Sequence, residues 1–273
     1  MLDIIKSVIL GIVQGITEWL PISSTGHMIL VDEFLNLNVS EEFMSMFLVV
    51  IQLASILAVA LIFFKKLFPW GFGKTKKETK ETFNLWLLII IGCIPAGIIG
   101  ILFDDKIDEL FFNPWTVAIM LIVYGILFII VENWRKNKKV EVKTVYEITY
   151  KTALLIGLFQ VLSLIPGTSR SGATILGGLI LGLDRKTAAS FTFFLAIPVM
   201  AGASLLKLMK FGLEFSQTEL IILIVGMITA FIVSIFAIKF LLSYIRKNDF
   251  KIFGYYRIIL GVIVILYFLL SRS

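Results

Sequence analysis

Two short stretches carry the side chains that could do chemistry. Gln14 to Met28, QGITEWLPISSTGHM, puts the chain's only histidine, His27, near Glu18 and the hydroxyls of Ser23, Ser24 and Thr25. Pro166 to Thr174, PGTSRSGAT, puts Arg170 among the hydroxyls of Thr168, Ser169, Ser171 and Thr174. Both lie in surroundings apolar enough for a bilayer, where a polar group is costly unless it is used or satisfied. A guanidinium fork suits phosphate oxygens two at a time, and a carboxylate with an imidazole offers proton transfer or nucleophilic attack. Together the stretches read as two halves of one buried anion site. The plainer readings are hydroxyls bonded back to their own helix, a structural Glu18–Arg170 ion pair and a satisfied interior histidine.

The elements that must position them follow from composition. With 59% apolar and 16% charged residues in 273, the chain lies outside the range of soluble domains and is expected to be an all-α integral membrane protein forming a single membrane domain, 1–273. The opening MLDIIKSVIL lacks a basic leader and a small-residue cleavage site, so no removable signal peptide is expected. Six apolar segments, near 43–64, 83–103, 115–133, 188–211, 218–242 and 253–270, are long enough to span. Two more, about 2–35 and 150–183, are broken by Pro, Ser and Gly into pieces too short to cross, and are expected to form re-entrant helical hairpins. Trp86, Trp115 and Trp134, near span ends, read as interfacial anchors, and the single Cys93 as a packed apolar residue.

The two halves also resemble each other. Shifted by 146 residues, Gly11, Gln14, Ser23, Gly26, Ile29 and Leu30 fall on Gly157, Gln160, Ser169, Gly172, Ile175 and Leu176, and IGCIPAG (91–97) weakly matches VGMITAF (225–231). The expected architecture is an inverted-topology repeat, halves 1–140 and 150–273, each a hairpin plus three spans.

A net charge of +6 could suggest nucleic acid, but the lysines and arginines gather in loops between spans, so no nucleic acid partner is expected and the basicity is topological. Loops 65–82 and 135–151 should be cytoplasmic. The acidic segments 31–42, with Asp32, Glu33, Glu41 and Glu42, and 104–114 should then face out, and the first hairpin enters from the outer face. In such hairpins the Ser/Thr turn sits near the midplane, and the helix leaving it aims free N–H groups at the cavity. Ser23, Ser24 and Thr25 are expected to precede one such helix, and Thr168, Ser169 and Ser171 the other.

At these residues the chain resembles the undecaprenyl-diphosphate phosphatases of the BacA/UppP type. QGITEWLPISSTGH (14–27) matches that family's (E/Q)xxxE motif and serine-rich turn, and PGTSRSGAT (166–174) its PGxSRSxxT motif. The resemblance implies hydrolysis of undecaprenyl diphosphate to the monophosphate and phosphate, recycling of the peptidoglycan lipid carrier, bacitracin tolerance, a bacterial plasma-membrane location and a divalent cation, Mg or Ca. It implies catalytic roles for Glu18, Ser24, His27 and Arg170. Gln14, Ser23, Thr25, Gly26, Gly167, Thr168, Ser169, Ser171 and Thr174 would surround the diphosphate. The partners implied are the polyprenyl lipid and membrane lipids, with a homodimer left open. Because Gln14 replaces the first glutamate of the motif, a metal held by two carboxylates is not expected; ligation by Glu18, substrate oxygens and water is.

The SSTGH and TSRSG stretches echo the type 2 phosphatidic acid phosphatases, whose chemistry uses two histidines; this chain has one. Either His27 attacks phosphorus or it serves as base for a hydroxyl, with Ser24 the favoured nucleophile and Glu18 orienting His27 or binding the metal. From another class, a transporter or flippase of an anionic polyprenyl lipid would share the repeat and a midplane anion site.

Overall fold

A computed structural model describes residues 2–270 other than 36, 71, 72 and 213, and the side chains of all these except 29, 32–34, 104, 105 and 108. The repeat match at Ile29, the acidic side chains of Asp32 and Glu33 and much of the acidic 104–114 segment thus lie outside the described side chains. The described residues are helical, with no strand beyond an isolated Val142–Leu183 bridge. In chain order the helices are α1 (Leu2–Thr17), α2 (Ser24–Leu35), α3 (Glu41–Ile62), α4 (Phe64–Leu67), α5 (Lys76–Phe111), α6 (Pro114–Arg135), α7 (Tyr150–Val161), α8 (Arg170–Ile180), α9 (Arg185–Phe211), α10 (Gln217–Tyr244) and α11 (Lys251–Leu270).

Six of these, α3, α5, α6, α9, α10 and α11, are long and apolar enough to cross a membrane. Polar caps set where several begin. Ser40, Asn113, Asp184 and Ser216 each accept an N–H from the first turn that follows, and Pro114 takes the first position of α6, where no N–H is needed. Helix α5 is longer than its apolar run. It begins inside the basic segment 65–82 and runs on through 104–111, both read from sequence as loop. Large aliphatic side chains stay exposed all along these helices, Ile101 at 83% and Leu270 at 75%, as a lipid-facing surface requires.

The interior is built from crossings between the two halves. Helix α1 packs chiefly on α10, α7 on α5, α3 equally on α9 and α10, and α6 on α11. Three of these crossings bring backbones together at glycine, α6 on α11 among them, where a methyl on Gly125 would stand 2.7 Å from the Gly254 carbonyl oxygen. A methyl on Gly11 would stand 2.7 Å from the Gly226 carbonyl oxygen, and one on Gly157 would stand 2.5 Å from that of Gly92, so neither position admits a side chain. Above these crossings the chain leaves α1 and α7 in two short turns, 18–23 and 165–169, which α2 and α8 then leave.

Candidate active site

The two turns adopt one unusual conformation. Ser23 (φ 72°) and Ser169 (φ 71°) are the only non-glycine residues with positive φ among those described. A residue with a side chain held there costs about 1 kcal/mol or more, so the surrounding structure must enforce it. Each serine caps the helix that follows, its Oγ accepting the N–H of Gly26 (3.3 Å) or Gly172 (3.2 Å). The helices therefore begin one residue after these serines. Ser24 and Thr25 open the first turn of α2, and Arg170 and Ser171 that of α8, rather than preceding it as the sequence suggested. Gly167 (φ +89°) lets the second turn lie flat on α6, where a methyl would stand 2.5 Å from the Val117 carbonyl oxygen. Its role is close approach of the backbone. Gly26 likewise faces α6, against Val117 and Leu121.

Between the turns the charges meet. Arg170 Nη2 donates to Glu18 Oε1 at 2.8 Å, the two side chains being 11% and 5% exposed. The other carboxylate oxygen accepts from Gln14 Nε2 (3.0 Å) and Ser24 Oγ (3.2 Å). Arg170 Nη1 donates to the Thr192 carbonyl (2.8 Å), its fork lies over the Trp19 ring, and its Nε is buried without a partner. The hydroxyl of Thr168 is also buried and unpaired. Ser169 and Ser171 Oγ are 3.1 Å apart, and Ser171 donates to the Leu20 carbonyl across the gap between turns. Thr25 is exposed at the start of α2.

Three sequence expectations change. The hydrogen bond between Ser24 and His27 that their spacing allows is not formed. His27 Nδ1 instead lies 2.7 Å from the Ser23 carbonyl oxygen and Nε2 2.7 Å from the Tyr256 hydroxyl. A carbonyl can only accept, so Nδ1 carries a proton and neutral His27 must accept the Tyr256 O–H at Nε2. Nor does Glu18 orient His27: its carboxylate is engaged by Arg170, Gln14 and Ser24. Thr174, expected beside the diphosphate, donates to the Arg170 carbonyl (2.8 Å) and accepts from Thr192 Oγ1 (2.8 Å), so it braces the start of α8 from within.

Arg257 is the residue that sequence reasoning passed over. Fully buried in α11, it donates to the Pro21 carbonyl of the first turn (3.2 Å) and to the Gly167 (2.8 Å) and Thr168 (2.9 Å) carbonyls of the second. No carboxylate pairs with it among the described residues. It holds the turns in register and stands next to Tyr256, the partner of His27. The signal was present as an ionised side chain inside an apolar span.

The donor set also bears on a divalent cation. No cluster of three or more acidic, His or Cys side chains exists among the described residues. Glu18 is the only carboxylate described at the turns, so the described side chains there do not by themselves make a multi-carboxylate cation site.

An all-helical membrane protein with a buried carboxylate–guanidinium pair between two capped turns is the class that fold and site define. The profile of the bacitracin resistance protein BacA family matches residues 7–263, and the chain belongs to that family. It is 65% identical over 272 residues to the undecaprenyl-diphosphatase of Acetivibrio thermocellus, covering 100% of both chains. It is 62% identical over 269 residues to that of Desulfitobacterium hafniense (98% and 97% covered) and 58% identical over 268 residues to one from Enterococcus faecalis (97% of each).

Proposed function

We infer that this chain hydrolyses undecaprenyl diphosphate to undecaprenyl phosphate and inorganic phosphate, which recycles the lipid carrier of peptidoglycan synthesis and confers bacitracin resistance. Family membership and full-length relatives bearing that activity in their names support it. The single structural observation that carries the mechanism is the Glu18–Arg170 contact with Ser24 on the other carboxylate oxygen.

In the mechanism we propose, the terminal phosphate takes Glu18's place on the Arg170 fork, where Nε is already a spare donor. The unpaired Thr168 hydroxyl and the free first-turn N–H groups of α2 and α8 add further donors. Released from Arg170, Glu18 accepts the Ser24 proton. Ser24 Oγ then bonds to phosphorus, the anhydride P–O bond breaks, and undecaprenyl phosphate leaves with the electron pair. The departing undecaprenyl phosphate takes the proton from Glu18, which then deprotonates a water; the water oxygen bonds to phosphorus, the bond from phosphorus to Ser24 Oγ breaks, and Ser24 recovers a proton from Glu18 as inorganic phosphate leaves. This keeps Ser24 as nucleophile and moves the base from His27 to Glu18, because only Glu18 is hydrogen-bonded to the Ser24 hydroxyl. Glu18, the Gln14 amide oxygen and the Ser24 hydroxyl would be the protein ligands of a divalent cation, which would neutralise charge developing on the diphosphate.

We also propose that the fold is the inverted repeat expected from sequence, with 2–35 and 150–183 as re-entrant hairpins. Several observations support it. The positive-φ serines, their caps and the glycine crossings Gly11–Gly226 and Gly157–Gly92 all recur at positions the repeat equates. Neither α1 nor α7 is among the helices long enough to cross. With the basic loops inside, the cavity opens to the outer face. Single cysteines placed at Ser40 and Lys76 in a Cys93→Ala background test this orientation. An impermeant thiol reagent should label residue 40 in intact cells, and labelling of residue 76 alone would refute it.

A flippase would share this architecture. Purified protein in detergent should release phosphate from a polyprenyl diphosphate, and should slow when a chelator is added. Transport needs a sealed membrane, so no phosphate release in detergent would favour the transporter reading.

A further inference from the structure

Away from the catalytic turns, the side bearing the 135–151 loop holds a cavity of about 580 Å³ with six cations in its wall: Arg135, Lys136, Lys138, Arg185, Lys186 and Arg246. They come from the ends of α6, α9 and α10, not from one run of sequence. The nearby acids are largely committed. Glu132 accepts both arms of Arg185 (2.9 and 2.6 Å) and the Phe250 N–H, and Asp184 caps α9 through the Thr187 N–H. Among the described residues no carboxylate lies within ion-pair reach of Arg135, Lys136, Lys138, Lys186 or Arg246. The loop is tied in place: Glu141 and Val142 donate to the Gly182 carbonyl, and Asp184 donates back to that of Val142.

A second cavity, about 560 Å³, shares Arg135 and Lys138 with the first. Its wall adds a further cation, Lys139, the apolar Trp134, Leu179, Ile180 and Leu181, and Gly182, with Glu141 as its acid. A preference for basic loops on one side of the membrane accounts for cations there, but not for their convergence on a hollow that adjoins a second one, whose mixed wall sets Trp134, Leu179, Ile180 and Leu181 beside its cations.

We propose that this pair of cavities binds an anionic membrane phospholipid, its phosphate among Arg135, Lys186 and Arg246 and the start of an acyl chain along Trp134, Ile180 and Leu181. Free phosphate would satisfy the first cavity but has no use for the second. The site lies at the far end of α8 from Arg170 and uses none of the residues assigned to hydrolysis.

The test titrates delipidated protein in neutral detergent with a short-chain phosphatidylglycerol, followed by tryptophan fluorescence with Trp134→Phe as the background. Matched titrations use the phosphatidylcholine of the same chain length and inorganic phosphate. Saturable binding of phosphatidylglycerol alone is expected. The triple variant Lys136→Gln, Lys186→Gln, Arg246→Gln should weaken it roughly tenfold to a hundredfold, since each cation near an anionic lipid contributes about the same increment. These three side chains are exposed, so melting temperature and phosphate release should be unchanged. Should the triple variant fail to fold, Arg246→Glu alone serves, with a smaller weakening expected. Equal binding of phosphatidylcholine, or a folded variant that titrates like the wild type, overturns the proposal. Displacement of phosphatidylglycerol by an equal concentration of inorganic phosphate would make this a free-phosphate site and overturn the lipid assignment.

Discussion

The turn at Ser23 and the turn at Ser169 have the same backbone and different chemistry. Both serines sit at φ near 70° and both cap a helix through a glycine N–H three residues on. The first turn then supplies a carboxylate, a hydroxyl and an imidazole in Glu18, Ser24 and His27. The second supplies a guanidinium in Arg170. The first turn has no guanidinium to hold a phosphate and the second has no carboxylate to take a proton, so the site exists only where α1–α2 meets α8. A buried pair of this kind is weak as a source of stability, because desolvation of both charges offsets their attraction. Its position between the turns is better explained by function: an incoming anion can replace the carboxylate on Arg170 and so release a base beside Ser24.

The largest expected effect tests the first turn. Glu18→Gln keeps shape and hydrogen bonding but removes the base, and should lower phosphate release by about 10²- to 10⁴-fold. Activity within a few-fold of wild type would reduce Glu18 to a structural partner of Arg170. On the second turn, Arg170→Lys keeps the charge but not the planar fork, and should cost about 10²- to 10³-fold in kcat while the melting temperature holds. Should the lysine variant turn over normally, the anion is bound elsewhere.

Arg257 belongs to both turns and should respond differently from either. Arg257→Met leaves the carbonyls of Pro21, Gly167 and Thr168 short of a donor, an expected loss of about 2 to 3 kcal/mol after relaxation, read as a lower melting temperature in detergent. A variant that melts like the wild type would show that the turns hold themselves in place. The smallest effect is a matched one. Ser23→Ala and Ser169→Ala each remove one cap and should each cost about 1 kcal/mol of stability. Clearly unequal losses would count against the equivalence of the two turns.

These contrasts also mark what the sequence made legible. The six spans could be read because long apolar runs leave little alternative. The two stretches with Glu18 and Arg170 stood out because polar groups interrupt apolar surroundings at matching places. Arg257 sits alone in its helix, and its purpose depends on carbonyls contributed by residues 89 to 236 positions away, which no local pattern encodes. The spacing of Ser24 and His27 permitted a hydrogen bond, but tertiary packing turned the imidazole toward Tyr256 on α11. Thr174 showed a hydroxyl in a motif, but not that its nearest acceptor would be the carbonyl four residues back.

The central claim is that Ser24, with its proton taken by Glu18, attacks phosphorus held by Arg170. The most direct test is brief reaction with a polyprenyl diphosphate labelled in its terminal phosphate, acid quench and mapping of the labelled peptide. Acid-stable label on Ser24, absent from Glu18→Gln protein, is the predicted result. Acid-labile label on His27, or no labelled protein under any quench while phosphate is still released, would contradict it.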